Sequence, residues 1–432
     1  MPRSFRGSMP QSFRARLLAL ALAGAALRLF YVLVLARKVP NAGDAMFFQA
    51  ESNLIAHGHG FIDPFLLGQR HLSVPTAAHP PLYPLVLSVV SLLGGTGELA
   101  HRSLGALLGA GTIVLIGLLG RRVSGERVGI LAAAIAAVYP ILVAADGALM
   151  SETLYGLLIA AALLVALRLH DRGEPLAAAA LGVLVGLAAL TRSEALLLLP
   201  LLAWPVALAA QRRRVALLGI ATAACLVALA PWTIRNASAF HELTLISHND
   251  ATVVAGANCR LTYHGVDLGG WNIGCISPRV FVNEAAQSRR WRHEGYTYIR
   301  HHAGRLPVVM AVRVLRTWDL WQPRRQVIFA ESQARWAAKA GVVTYFLLIP
   351  FALAGIALVR RRRATMLILL TPAALAIIQS AAGYGVPRFR HAFEISIVVL
   401  AAAALSQLAA LRGRRLGRRG RPAHRDQVER VV

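Results

Sequence analysis

Long apolar runs alternate with short polar stretches along most of this chain. A helix needs about 20 apolar residues to cross ~30 Å of hydrocarbon. Ten runs meet or approach that length: 17–36, 101–119, 128–143, 153–169, 175–190, 195–210, 215–231, 337–359, 367–382 and 393–411. The pattern predicts an all-α polytopic membrane protein with about ten transmembrane helices. Between the first two runs lies a polar loop, 37–99, with one apolar piece at 81–94. That piece is short and opens on two prolines, which predicts an interfacial or re-entrant helix. Residues 236–336 form a larger polar loop. Its latter half mixes Arg with Trp291, Tyr296, Tyr298, Trp318 and Trp321, a composition typical of the lipid headgroup zone. A small extracytoplasmic loop domain is expected there.

Composition agrees with this reading. The 432 residues are 56% hydrophobic and 15% charged, against roughly 25% charged in soluble domains. The net charge of +26 would by itself suggest nucleic acid. The arginines, however, gather in short runs between apolar segments: Arg14 and Arg16, Arg121-Arg122, Arg212-Arg213-Arg214, 360–363 and 412–421. That is the distribution of cytoplasmic loops under the positive-inside rule. With both termini cytoplasmic, ten helices place every such run on one side, so membrane lipid is the expected partner and nucleic acid is not. The first run resembles a signal peptide in its flanks. It is long, and Leu33-Val34-Leu35-Ala36-Arg37-Lys38 is a poor cleavage site, so an uncleaved anchor is expected. The chain then divides into a basic tail (1–16), a transmembrane module (17–235) that includes the outer loop 37–99, a loop region (236–336), C-terminal helices (337–411) and a second basic tail (412–432).

Under this threading the outer face collects Asp44, His79, Asp146, Glu152, Arg192, Glu194, Arg235, Arg388 and Arg390, each at a helix end or outer turn. Ionisable groups at a helix centre cost about 2.5–3.5 kcal/mol on insertion scales, so ends are where they are tolerated. Arginine snorkels well and a short carboxylate poorly. Asp44, within Asn41-Ala42-Gly43-Asp44-Ala45-Met46-Phe47-Phe48, therefore asks for a chemical reason. A carboxylate beside cations at the lipid boundary suits a substrate with an anionic phosphate and an apolar tail. Arg and His hold phosphate by charge-assisted hydrogen bonds. The carboxylate takes the proton of an attacking hydroxyl, and electrostatic stabilisation of the departing phosphate is the larger contribution.

The run Gly43-Asp44-Ala45-Met46-Phe47-Phe48, with Gly58-His59-Gly60-Phe61 behind it, resembles the first outer loop of polyprenyl-phosphate-sugar-dependent glycosyltransferases. That superfamily, GT-C, includes protein O-mannosyltransferases, the lipid A aminoarabinose transferase and Rgt-type lipopolysaccharide glycosyltransferases. His79-Pro80-Pro81-Leu82-Tyr83-Pro84 is similar to the next family motif. Ser151-Glu152-Thr153-Leu154, Thr191-Arg192-Ser193-Glu194-Ala195, Pro231-Trp232-Thr233-Ile234-Arg235-Asn236 and Pro387-Arg388-Phe389-Arg390 follow in family order. The resemblance spans 17 to about 410. It implies direct displacement at an anomeric carbon on the extracytoplasmic side of the cell membrane, with Asp44 as general base. Glu152 is then a second carboxylate that orients the acceptor or holds a divalent cation. His79, Arg192, Arg235, Arg388 and Arg390 are candidates for the lipid phosphate. The implied partners are a polyprenyl-phosphate-linked sugar donor and a glycan, glycolipid or protein acceptor. The family often shows Asp-Glu at the first site. Here Asp44-Ala45 lacks the second acid, which favours a single base over a two-carboxylate or metal-bound variant, and no metal ligands are assigned. His79 stands where the aminoarabinose branch often carries Lys, so that branch's donor sugar is not carried over.

Of three cysteines, Cys225 lies within a helix and reads as a small core hydrophobe. Cys259 and Cys275 flank Trp271 in the second loop, where a non-cytoplasmic location predicts a disulfide. Four zinc ligands are absent nearby. Asn236-Ala237-Ser238 matches a glycosylation sequon but sits at a helix end. The sequence carries no Walker loop and no dinucleotide fingerprint, which argues against ATP-driven transport and a nucleotide-sugar donor. A transporter or flippase is the alternative. It would place ionisable groups near the midplane and show inverted repeats, whereas here the helix centres are nearly bare and no repeat is visible. A non-catalytic scaffold is a third reading, which the presence of Asp44 argues against.

Overall fold

Helices and the turns between them make up the described residues of this protein. The computed structural model describes residues 10–210, 213–328 and 330–419, and among them no β-strand forms. In order, α1 is Gln11–Phe30, continued by a π turn to Leu35, followed by α2 (Asp44–Ala56), α3 (Pro64–Arg70), α4 (Leu82–Leu92), α5 (Glu98–Ser124), α6 (Glu126–Val138) and α7 (Pro140–Asp146). Next come α8 (Glu152–Arg172), α9 (Pro175–Ala189), α10 (Trp204–Leu208) and α11 (Arg214–Phe240). The second loop contributes α12 (Asn249–Ala257), α13 (Arg260–Tyr263), α14 (Glu284–His301), α15 (Leu306–Thr317) and α16 (Pro323–Ile328). The chain closes with α17 (Arg335–Val359), α18 (Arg363–Ala382) and α19 (His391–Arg419).

The expected count of ten spans is not reproduced. Among the described residues seven helices are long and apolar enough to cross a membrane, and α6 with α7 makes an eighth if the bent pair is one span. Prolines explain two of the three runs that fall short, and the third, 175–190, forms the 15-residue α9. Pro140 at the start of α7 accompanies a 58° bend, because its ring cannot continue the preceding helix. Pro200 and Pro205 fall where residues 193–208 break into 3-10, π and α turns. The apolar piece of the first loop forms the 11-residue α4, about 16 Å long and too short to cross.

α8 and α19 are central: 67% and 61% of their most apolar windows are buried inside the protein, against 22% for the peripheral α17. Small residues let neighbouring helices approach closely. At the α5–α6 contact a Cβ built on Gly129 would lie 2.6 Å from the Gly117 carbonyl oxygen. Arg28 of α1 is buried and donates to Asp146 at 2.6 Å and to the carbonyls of Gly24, Ala136 and Ala137. Asp146, grouped by sequence with the outer polar set, is thus half of an ion pair that ties α1 to α7.

The arginine-bearing turns share one end of the bundle. Arg362 donates to the Val123 carbonyl at 2.9 Å, Arg122 pairs with Asp171, and the Arg121 guanidinium stands 5.0 Å from the Phe13 ring. Arg212 and the outer parts of both basic tails, 1–9 and 420–432, lie outside the described residues. At the other end the second loop is more ordered than its polarity implied. Tyr263, Leu268, Val309 and Val312 make a small core of their own, and Cys259 and Cys275 are joined by a disulfide.

Candidate active site

Asp44 is the first residue of α2, and the preceding Gly43 has φ of +56°. A side chain at Gly43 would be strained by that backbone, and its Cβ would meet the Glu331 carboxylate at 3.5 Å. The turn aims the Asp44 carboxylate at Arg388, whose Nη2 lies 3.0 Å from Oδ2. The same guanidinium donates through Nη1 to Glu331 at 2.8 Å, and its Nε lies 3.6 Å from Glu152 Oε1. Arg388 is carried by the short 3-10 turn Pro387–Arg390 ahead of α19. It is the hub of three carboxylates from three separate parts of the chain.

Glu152 opens α8 and is nearly buried. Its Oε1 accepts from Arg192 Nη1 at 2.6 Å, while Oε2 is buried without a hydrogen-bond partner. Arg192 also binds Glu194 at 2.7 Å, and Gln379 donates to the same Glu194 oxygen at 2.8 Å. Arg192 is therefore spent on two carboxylates. His79 packs between Phe47 and Phe48, with ring centroids at 4.7 and 5.0 Å. Its Nε2 is 3.8 Å from Asp44 Oδ1, outside hydrogen-bond reach but close enough for electrostatic contact.

Burial would raise the Asp44 carboxyl, but the arginine charges beside it, Arg388 foremost, outweigh it and hold the group below its usual value of 3.8. Asp44 is charged at neutral pH. Burial, assisted by Arg388, pulls the His79 imidazole down against the opposing pull of Asp44, so this ring is neutral there. Burial pushes the Glu331 carboxyl up, with Asp44 adding to it and Arg388 opposing.

The sequence-selected residues separate into two groups. Asp44, His79, Glu152, Arg192 and Arg388 converge. Arg235 and Arg390 point elsewhere. Arg235 donates to the carbonyls of Phe61 and Thr76, each at 2.8 Å. It braces the loop that leads to His79, and Glu284 grips the same loop by accepting from Thr76 Oγ1 and the Ala77 amide. Arg390 is buried and binds Glu394 and Asp319, both at 2.7 Å. Asn236, the sequon asparagine, is fully buried, and its amide donates to the Thr244 and Ile246 carbonyls.

No three His, Cys, Asp or Glu side chains gather to hold a metal among the described residues. The guanidinium of Arg388 stands where a cation between Asp44, Glu152 and Glu331 would have to sit. As arranged, the donor set does not fit a divalent ion.

A cavity of about 720 Å³ adjoins the cluster. Glu152, Glu331 and Arg388 line it at the site. One wall is apolar, from α7 (Ile141, Ala144) and α17 (Ala338, Val342). Asp267, Trp271 and Asn272 of the disulfide-closed loop also line it.

Residues 78–234 match the family described as dolichyl-phosphate-mannose-protein mannosyltransferase. Over the whole structure the chain superposes on the archaeal oligosaccharyltransferase AglB from Archaeoglobus fulgidus, solved with an inhibitory peptide and a dolichol-phosphate. The identity is 16% and the TM-score 0.57, over 98% of this chain and 53% of that one. A crystal structure of an oligosaccharyltransferase of the same organism with Zn and sulfate gives 19% identity and a TM-score of 0.58, over 93% and 50%. The chain has the GT-C fold.

The chain spans about half the length of those archaeal proteins. A looser overlap, with ArnT from Cupriavidus metallidurans bound to undecaprenyl phosphate, has 15% identity and a TM-score of 0.46 over 93% and 79%. No curated protein sequence matches it. The motifs singled out in the sequence include Asp44, His79, Glu152, Arg192 and Arg388, but sequence reasoning missed Glu331. A signal was present: Glu331 is the only acid between Asp319 and Glu394. Tyr384, whose hydroxyl is 3.4 Å from Arg388 Nη2, and Gln379 carried no such signal.

Proposed function

We propose that this chain is an integral-membrane glycosyltransferase. It moves a sugar from a polyprenyl-phosphate donor to an acceptor hydroxyl, on the side of the cell membrane opposite the arginine runs. The hydroxyl oxygen attacks the anomeric carbon while the bond from that carbon to the phosphate oxygen breaks. Polyprenyl phosphate leaves with the bonding pair, and the hydroxyl proton passes to Asp44. The observation that carries this reading is the meeting of Asp44 and Glu152 on Arg388, beside a cavity lined by both apolar helix side chains and charged groups.

Each side chain then has a role. The α7–α17 wall suits an isoprenoid tail. Arg388 receives the donor phosphate by exchanging it for Glu331, the most exposed of its three carboxylate partners. Arg335, at the head of α17, lines the same cavity and has no carboxylate partner among the described residues. The free Oε2 of Glu152 orients the acceptor hydroxyl, and Arg192 acts through Glu152 as a positioning residue. Neutral His79, packed between Phe47 and Phe48, borders Asp44 and is not a phosphate cation. Arg235 and Arg390 take structural roles.

The test separates transferase from flippase. Purified chain in vesicles receives a panel of labelled undecaprenyl-phosphate sugars together with a membrane extract as acceptor source. A transferase releases free undecaprenyl phosphate as label enters the acceptor. A donor that crosses the bilayer intact, with no release, would establish the flippase instead.

A further inference from the structure

The acceptor, left open as glycan, glycolipid or protein, is narrowed by the loop between Cys259 and Cys275. Asp267, Trp271, Asn272 and Ile273 all line the cavity, and all fall inside the stretch that the disulfide closes. We infer that this loop is the acceptor-reading element and that it is built for a carbohydrate, with Trp271 as stacking platform and Asp267 and Asn272 as hydroxyl partners. The inference rests on the glycosyltransferase reading and deepens it.

The ring of Trp271 is fixed. Its Nε1–H donates to the Thr252 carbonyl at 2.9 Å, yet the residue stays 37% exposed and lines the cavity. An indole whose polar edge is already satisfied offers its face and nothing else. That face is tilted 41° to Tyr384, with ring centroids 6.5 Å apart. Tyr384 in turn lies 3.4 Å from Arg388, the partner of Asp44. The platform is thus separated from the general base by one tyrosine and one guanidinium. A sugar ring has apolar C–H faces and polar edges. Stacking one face on Trp271 leaves its hydroxyls pointing sideways.

Polar groups wait at that edge. Asn272 Nδ2 donates to Asp267 Oδ2 at 2.9 Å, and Arg325 Nη2 donates to Asp267 Oδ1 at 2.9 Å. A carboxylate acceptor and an amide donor side by side match a pair of adjacent sugar hydroxyls, each of which can both donate and accept. The loop is less suited to a peptide. Peptide recognition draws on free main-chain groups or on pockets for alternate side chains. Here the amides of Gly269, Gly270, Asn272 and Cys275 are all bonded within the cap, to Thr262, Asp267, Gly256 and Asn272 carbonyls. With those four amides closed, what the loop chiefly presents to the cavity is side chains. The disulfide and the Trp271–Thr252 bond hold them in place before the acceptor arrives, which lowers the cost of ordering them on binding.

The test uses the full purified chain in lipid nanodiscs. Saturation-transfer NMR reads binding of short mannan, arabinan and β-glucan fragments and, separately, of Ser/Thr-containing peptides. Undecaprenyl phosphate binding is followed in parallel by thermal shift. At least one oligosaccharide is expected to bind, and Trp271→Ala to weaken it by about tenfold or more. Trp271→Phe should keep part of the affinity, Asp267→Asn should weaken it, and all three variants should bind undecaprenyl phosphate within about twofold of the parent. Binding of the peptides but not the sugars overturns the inference, as does an oligosaccharide affinity indifferent to Trp271→Ala. Undecaprenyl phosphate that binds while every sugar fails sinks this inference alone. Failure of undecaprenyl phosphate to bind the parent chain sinks the glycosyltransferase reading itself.

Discussion

Replacing Arg388 with Gln removes the charge on which Asp44, Glu331 and Glu152 converge at 3.0, 2.8 and 3.6 Å. A hydrogen bond to a charged group contributes about 1.5–3 kcal/mol, and stranding one partner of a fully buried pair costs about 3–5 kcal/mol. Asp44 is 30% exposed and Glu331 41%, so solvent screens part of this. We take about 2 kcal/mol as the loss felt at Asp44, which predicts about a 30-fold fall in turnover at neutral pH. The pH profile is the sharper readout. In the parent, burial opposes ionisation of Asp44 and is overruled chiefly by Arg388. Its charged form is therefore favoured above the unfolded carboxyl's pKa, and the stabilisation that brings is lost as the pH falls through the lower, folded value. Without Arg388 the burial effect wins and the folded carboxyl moves up. The acid limb of turnover should then shift toward neutral pH, and Arg388→Lys, which restores charge but not the fork, should recover part of it. The assay is release of undecaprenyl phosphate from labelled donor in vesicles between about pH 4 and pH 8. An acid limb that stays in place, with turnover within about threefold of the parent, would refute the electrostatic role of Arg388.

Three further outcomes are expected. Arg28→Leu should strand buried Asp146 and lower stability by about 3–5 kcal/mol, seen as a lower melting temperature in detergent; adding Asp146→Leu to it should restore much of the loss. Gly43→Ala forces a side chain into φ +56° beside Glu331, at a cost of about 1–2 kcal/mol; turnover should fall with no loss of undecaprenyl phosphate binding. Cys275→Ser opens a loop with a sequence separation of 16, worth about 3 kcal/mol in loop entropy. Limited proteolysis should then cut 259–275 faster while α8 and α19 stay intact.

The helical bundle was legible because lipid imposes long apolar runs. The number of spans was less so, since hydropathy averages over Pro140, Pro200 and Pro205, where the backbone bends or changes its hydrogen-bond pattern. The convergence of Asp44, His79, Glu152, Arg192 and Arg388 follows from motifs at helix ends on one side of the threading. That rule could not tell where each arginine points. Arg235 is satisfied by main-chain carbonyls, which leave no trace in composition. Arg390 did leave one: Glu394 stands four residues on, the spacing of a helical ion pair. Glu331 was passed over because it belongs to no recognised motif, and its isolation as an acid does not say that it meets Arg388. The charge state of His79 was also out of reach, since the neutral ring reflects burial between Phe47 and Phe48.

The most direct measurement is turnover of a labelled lipid-linked sugar by Asp44→Asn, with undecaprenyl phosphate affinity recorded on the same preparation. Loss of the base should lower turnover by about 10²–10⁴-fold while leaving that affinity nearly unchanged. Undiminished turnover in the variant would contradict the account.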